Sequence, residues 1–543
     1  MPESEQEVPV LVVGGSLVGL TTSVLLGSHG VRHLLIERHR GTAIHPRAAS
    51  FHQRTMEIFR SVGLQQAVEA AAEREFVQNG AIISVDTLNG KELACFYRSF
   101  NEGVEGLSPT SRLFITQVGL EPVLRQRARE LGADHQYATE MVSFERDESG
   151  VGVVLRTRDD GLERKVRARY LVAADGAHSF VRQRLGIGMA GRGSFADCVT
   201  IYFKADLRAL IGERNLSVIY VNQPGLLAFF RFSITGDAGF LAVFATFDKD
   251  GNRDSRVGQD LSPARCAALV RAALGVPPEF PVVIDDVQPW SATAATATAF
   301  RNGRVFLAGD AAHLMPPTGG FGGNTGIADA HNLAWKLGMV LKGSAGPRLL
   351  DSYERERKPQ CELIVEQAYA RYVKRVDSSL PATNLAPLLD DPAIELGSVY
   401  SSDAILDEEE GRGAAALLED PHHASGRPGT RVPHVTLLRN GVPVSTHDLP
   451  GNGFVLLAGS SARHWTEAAN TLAAAGIPLT AHRIAAGGDL TNADGLFEKT
   501  VGIGAQGALL LRPDGVIGWR NAGFHPDARA TLDEVMRRLT FRR

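Results

Sequence analysis

The chain has 543 residues, 44% of them hydrophobic, a formal charge of −4 at pH 7 and a sequence pI near 6.5. That length exceeds one ordinary core and predicts two or three domains, and the charge balance lacks the basic footprint of a nucleic-acid binder. The acidic start Met1-Pro2-Glu3-Ser4-Glu5-Gln6-Glu7 has no secretory pattern, no apolar run reaches the roughly 18 residues that span a bilayer, and Cys95, Cys198, Cys266 and Cys361 lie far apart without CxxC or metal-ligand spacing. A cytoplasmic protein is expected, monomer or homodimer, acting on a small molecule and holding no metal.

Val8 to Val13 reads as a buried strand, and Gly14-Gly15-Ser16-Leu17-Val18-Gly19 as the turn into a helix ending near Ser28. A second strand, His33 to Ile36, ends at Glu37. In a βαβ dinucleotide unit the glycines allow a tight turn and close pyrophosphate approach, and the acidic residue bonds the ribose hydroxyls. Ser16 stands where the second glycine of that fingerprint belongs, so an ordinary strand–helix turn also fits. Glu37 favours the dinucleotide reading, with the Ser16 hydroxyl offered to phosphate. In His45-Pro46-Arg47-Ala48-Ala49, Arg47 follows a proline-fixed bend and suits pyrophosphate or a flavin ring.

Tyr170 to Ala174 predicts a strand ending at Asp175-Gly176, with Ser179, Val181 and Arg182 completing D-G-x-x-S-x-V-R. A helix cap by Asp175 or Ser179 explains the same residues. From about 189 to 287, runs such as Val199-Thr200-Ile201-Tyr202-Phe203 and Gly239 to Phe244 predict a sheet. The apolar strand before Gly309-Asp310 leads to Pro316-Pro317-Thr318-Gly319-Gly320-Phe321-Gly322-Gly323-Asn324, a bend that opens a helix and suits an anionic or electron-rich ligand. Ile327, Ala330, Ala334, Leu337 and Leu341 give that helix one apolar stripe, Asn324 its cap and Gly343 its stop. His313 reads as structural. Glu408-Glu409-Glu410, Gly411-Arg412-Gly413 and the Pro/Gly-rich run near 421–433 predict a linker to a small α/β domain.

These motifs resemble the single-component FAD-dependent aromatic hydroxylases (class A flavoprotein monooxygenases), and especially the subgroup acting on aromatic polyketides of the anthracycline and angucycline type in antibiotic pathways. The glycine turn with Glu37, the Asp175 to Arg182 segment and Gly309-Asp310 with its loop match three ordered motifs. Gln117 with Leu120-Glu121-Pro122, Asp351-Ser352-Tyr353-Glu354-Arg355-Glu356-Arg357, Gly426-Arg427-Pro428-Gly429, and Leu511-Arg512-Pro513-Asp514-Gly515 extend the likeness almost end to end.

The resemblance implies an α/β and α+β multidomain fold: a discontinuous Rossmann-like FAD-binding domain of the para-hydroxybenzoate hydroxylase type (1–80, 105–188 and 288–400), a β-sheet substrate domain (81–104 and 189–287) and a thioredoxin-like C-terminal domain (415–543). Without a cysteine, that last domain cannot exchange dithiols. The implied cofactor set is Gly14, Ser16, Leu17, Val18, Gly19, Glu37, Arg38, Arg47, Gln117, Asp310, Pro317, Gly319, Gly320, Gly322, Gly323 and Asn324. Glu37 would hold the adenosine ribose, Arg47 the pyrophosphate, Gln117 a phosphate or the ribityl chain, and Asp310 a ribityl or phosphate-linked hydroxyl. Tyr220, Phe229, Arg231, Phe244 and Pro316 are candidate substrate walls, and no catalytic base is named. NAD(P)H, a transient co-substrate, reduces FAD, and a flavin C4a-hydroperoxide then hydroxylates a polycyclic aromatic polyketide. Oxygen insertion or rearrangement of Baeyer–Villiger type, and inactivation of an aromatic antibiotic, remain open alternatives.

Overall fold

The computed structural model describes residues 6–44, 49–248, 250–252, 257, 259–406, 416–492 and 495–542. The strand Gln6–Val13 pairs in parallel with His33–Ile36 on one side and Glu163–Ala173 on the other, and Val305–Leu307 joins Glu163–Ala173, again in parallel. Parallel strands covered by helices on both faces must be apolar throughout, and Val10, Leu11, Val12, Leu34, Leu35, Leu171, Val172 and Phe306 are all fully buried. The helices Leu17–Ser28 and Phe321–Leu341 pack against each other in the same core. Register places Val13 beside Ile36 and Ala173, and Ala173 beside Leu307. The turns that follow these strands therefore emerge along one edge.

A second eight-stranded sheet runs in the order His313–Leu314, Val283–Ala297, Met189–Lys204, Ala238–Thr246, Leu226–Phe232, Leu216–Gln223, Ala81–Val85, Glu92–Tyr97. Val283–Ala297 crosses residue 288 without a break, paired with Met189–Lys204 along its length. Alternation separates the faces. Ile83, Ile219, Phe230, Leu241, Ile201 and Phe203 share a core with the helix Pro263–Leu274. Tyr220, Phe229, Phe244, Cys198 and Trp290 form an opposite aromatic face that meets Tyr372 of the long helix Asp351–Arg375 and Val376, which follows it.

The C-terminal unit has a four-stranded sheet in the order Leu479–Arg483, Phe454–Ala458, Ala508–Leu511, Ile517–Asn521, flanked by helices Arg463–Ala474 and Ala528–Thr540. Buried ion pairs fasten it. Arg431 Nε donates to Glu57 at 2.9 Å, and Arg512 donates to both oxygens of Glu356 at 2.7 and 2.8 Å, with Lys336 Nζ 2.9 Å from the same carboxylate. The run near 421–433 is accordingly not a free linker: Thr430 and Val432 are fully buried, Val432 in the core of the C-terminal unit, and Arg431 between them pairs with Glu57. The stretch from Glu408 to Gly413 lies outside the described residues.

Burial works against a charged Glu57, yet Arg431, His447 and Arg54 hold its carboxyl well below the usual carboxylate range. Arg431→Met leaves this carboxylate with too little compensation, and the expected cost is about 3–5 kcal/mol. Thermal unfolding should record the loss, and Glu57→Gln in the same chain should recover most of it. A second expectation concerns acid. Ser23 Oγ lies 2.6 Å from His33 Nε2 and 2.8 Å from His135 Nε2, and burial lowers both imidazoles, His135 to about 4. Stability from these neutral rings is complete above the unfolded pKa of about 6.5 and is lost as pH falls through the folded values. Melting temperature should decline over that window, less steeply in His135→Gln.

Candidate active site

The three turns meet as the strand register requires. Gly14 has φ +107, and a Cβ there would sit 2.2 Å from the Ala174 carbonyl oxygen; a Cβ on Gly19 would sit 1.8 Å from that of Gly14. Only glycine permits this closeness. Gly15 N–H donates to Glu37 Oε2 at 2.6 Å and His39 N–H to Oε1 at 2.8 Å, so Glu37 is fixed beneath the glycine turn, while Arg38 is exposed beside it. Leu17 is buried in the core, and Val18 packs at the seam with the second motif. The helix Leu17–Ser28 has no side-chain cap, which leaves its first N–H groups open to an anion.

Ser16 differs from expectation. Its hydroxyl donates to Glu121 Oε1 at 2.6 Å and accepts from Gln117 Nε2 at 3.0 Å, so in this structure it is turned to a carboxylate. Glu121 is fully buried and also accepts from Ala43 N–H at 2.6 Å. It is a site residue that the reading of the glycine turn missed, although it belongs to the Q-x-x-L-E segment that also contains Gln117. Arg47 lies outside the described residues.

Asp175 accepts from the Ser179 hydroxyl at 2.6 Å and Val181 N–H at 3.1 Å, and Ser179 caps the helix Phe180–Arg184. The capping explanation is thus satisfied, and Arg182 adds a link, donating to the Ala311 carbonyl at 2.9 Å. Asp310 is exposed on the turn Gly309–Ala311 at the end of Val305–Leu307. Behind it, fully buried Asp329 accepts from Gly309 N–H at 3.0 Å, lies 2.7 Å from His313 Nε2 and accepts from Arg357 Nε at 2.8 Å. Burial opposes charge on His313, but Cys361 and Asp329 hold it well above the usual range. His313, Asp329 and Cys361 bring donor atoms within 4.8 Å of one another; Arg357 already balances the carboxylate, and the group anchors the Gly309 turn. A single aspartate within an apolar helix carried no signal for this role.

Gly319 and Gly320 have φ +88 and +68, and the helix begins at Phe321 with Gly320 as its N-cap. Asn324 therefore lies inside the first turn and is not the cap. Its Oδ1 accepts from His52 N–H at 3.0 Å and the Thr55 hydroxyl at 2.6 Å, and its Nδ2 donates to the Ser50 and Gly320 carbonyls at 2.9 and 2.7 Å. All four bonds of the amide are used, so its side chain positions the bend and only its backbone is open to a ligand. Pro316 is buried, Pro317 exposed, and Gly322 and Gly323 are half-buried in the uncapped first turn. The expected stripe is only part of the helix surface that is covered: Asp329, Asn332 and Lys336 are buried as well.

A Cβ on Gly326 would lie 2.5 Å from Val18 Cγ2 and 3.1 Å from Gly309 Cα, so the N-terminal and central motifs touch through missing side chains. These cradles, the positive-φ glycines and two helix N-termini fit an elongated dinucleotide. Gly326→Ala should force the motifs apart at about 1–3 kcal/mol, lowering apoprotein melting temperature and flavin content. Gly322→Ala, whose nearest contact would be 3.8 Å away, should leave apoprotein stability nearly unchanged.

A family described as "FAD binding domain" matches residues 7–368, and one described as "Aromatic-ring hydroxylase, C-terminal" matches 425–541. The chain is 46% identical over 538 residues to 4-methyl-5-nitrocatechol 5-monooxygenase of Burkholderia sp, covering 99% of this chain and 98% of the relative. It is 40% identical over 564 residues to tetracenomycin A2 monooxygenase-dioxygenase of Streptomyces glaucescens, covering 99% and 98%. The crystal structure of aklavinone-11 hydroxylase with FAD and aklavinone superimposes with a TM-score of 0.92 at 37% identity, covering 99% of this chain and 100% of that one. Sheet edge, glycine cradle and full-length likeness agree: the chain belongs to the FAD-dependent aromatic-ring hydroxylases, monooxygenases that use NAD(P)H and O2.

Proposed function

We propose that the chain hydroxylates a polycyclic aromatic polyketide held between the aromatic sheet face and the flavin. The observation that supports this most directly is the meeting of the Gly14–Gly19, Gly309–Asp310 and Gly319–Asn324 turns in a fold that matches an aklavinone hydroxylase over its whole length. In this reading the diphosphate lies at the N-terminus of Leu17–Ser28, Glu37 receives the ribose hydroxyls, and Asp310 bonds the ribityl or phosphate-linked chain. Gln117 and Ser16 act beside the phosphates, and Arg47 is assigned to the pyrophosphate. The N–H groups of Gly322, Gly323 and Asn324 face the pyrimidine edge, where a helix N-terminus stabilises negative charge. FAD, once reduced by NAD(P)H, supplies the oxygen-transfer chemistry with O2. Residues of this chain orient the ring and exclude water, and the sequence has no second glycine fingerprint for the nicotinamide, which docks transiently.

The domain division follows the same reading: FAD-binding 1–80, 105–188 and 288–400, substrate-binding 81–104 and 189–287, and a thioredoxin-like C-terminal unit lacking CxxC. Its sheet order and flanking helices support that last assignment. Free thiols at Cys95, Cys198, Cys266 and Cys361 fit a reducing, cytoplasmic setting. A monocyclic substrate is the second reading, favoured by the 46% identity to a nitrocatechol monooxygenase against 40% to a tetracenomycin enzyme.

Glu37→Ala and Asp310→Ala should each give folded protein with at least about tenfold weaker FAD binding, a loss of about 1.4 kcal/mol; undiminished yellow holoprotein would count against the assignment. Incubation of the holoenzyme with NADPH, O2 and either a polycyclic hydroxyquinone or 4-methyl-5-nitrocatechol decides between the substrates by kcat/KM. NMR of the product skeleton separates hydroxylation from oxygen insertion.

A further inference from the structure

Arg231 stands out among the buried charges. It is 3% exposed, and its guanidinium lies between the rings of Phe76 and Phe114, 4.1 and 4.0 Å from their centroids. Nη1 donates to the Ala49 carbonyl at 3.2 Å, and Nε has no partner. Among the described residues no carboxylate is within ion-pair distance. Among the described residues Glu75 is the charged group that acts on it through space, and both Glu75 oxygens are taken by Thr116, at 2.7 and 3.0 Å. Every other buried arginine discussed above has a carboxylate or a carbonyl fastening with a structural purpose; Arg231 has one long bond.

Its place gives the anomaly a use. Pairing sets Tyr220 beside Phe229 and Arg231 beside Phe240, so Arg231 shares the aromatic face with Tyr220, Phe229 and Phe244. It also sits at the seam with the flavin bend, since Ala49 precedes Ser50, whose carbonyl is held by Asn324. A cation buried without a counter-ion is costly, and burial has drawn this guanidinium down to about 9, with Glu75 acting in the opposite sense. An anionic oxygen arriving with the substrate would supply the missing charge.

We propose that Arg231 is the anion-binding position of the active site and receives the ionised oxygen of a phenolic substrate. The phenol loses its proton to solvent water, and the resulting anion feeds electron density to the ring carbons ortho and para to it, the positions an electrophilic oxygen attacks. The inference rests on the substrate lying against the aromatic face, as proposed above.

The test uses oxidised holoenzyme and two coloured acidic phenols, 4-nitrocatechol and 1,2-dihydroxyanthraquinone, titrated by visible absorption between roughly pH 6 and pH 9, where both ionise. Bound probe should ionise about one pKa unit lower in the natural protein than in Arg231→Gln, a tenfold change in the ratio of anion to phenol, with Arg231→Lys between them. Identical ionisation in all three proteins overturns the proposal. Weakened FAD binding with an unchanged probe spectrum also overturns it, reassigning Arg231 to the cofactor. If Arg231→Gln loses its circular-dichroism signature, Arg231→Lys carries the comparison, with a shift of at least about threefold expected. Failure of both probes to bind the natural protein overturns the substrate placement itself, and the inference with it.

Discussion

The site depends on the parallel pairing that aligns Val13, Ala173 and Leu307. Parallel strands end on the same side, so three turns from distant parts of the chain are delivered to one edge by backbone hydrogen bonds alone. Glycine then sets how close they come. Gly14, Gly19, Gly309 and Gly326 leave no room for a Cβ against Ala174, Gly14 and Val18, and the two helices that start beside them have no side-chain cap on their first N–H groups.

Buried charges hold the second level of organisation. Asp329 secures the Gly309 turn, while Tyr353 donates to the Leu307 carbonyl at 2.7 Å and Glu354 accepts from Phe300 N–H at 2.7 Å. Glu356 and Arg357, from the same stretch of helix, reach Arg512 and Asp329 respectively. The D-x-Y-E-x-E-R signature is therefore a set of fastenings that brace the cofactor edge and attach the C-terminal unit. Glu57 with Arg431 repeats the device on the helix Gln53–Ser61, which also carries Thr55 to Asn324. The C-terminal unit and the flavin bend are joined through these helices, so a domain without cysteine chemistry still bears on the geometry of the site.

The opposite sheet shows a different economy. One face packs on its own helix, and the other turns its rings to Tyr372 of the helix Asp351–Arg375 and carries Arg231, whose guanidinium lies over Phe76 and Phe114. Alternation of side chains along Leu226–Phe232 is enough to send Phe230 into the core and Phe229 and Arg231 to the opposite face.

Much of this was legible before folding. The strands at Val8 to Val13 and His33 to Ile36, the helix to Ser28 and the stop at Gly343 follow from apolar runs and glycine, and the structure agrees within two residues. Motif order pointed to FAD because glycine turns and helix starts are local, and local chemistry is written in consecutive residues. What tertiary structure decided is where polar side chains spend their bonds. Ser16 turns to Glu121, Asn324 is saturated by Ser50, His52, Thr55 and Gly320, and Arg431 converts an apparent linker into a buried contact. Each partner lies far off along the chain, and a hydrogen bond between distant residues leaves no periodicity or spacing from which to read it.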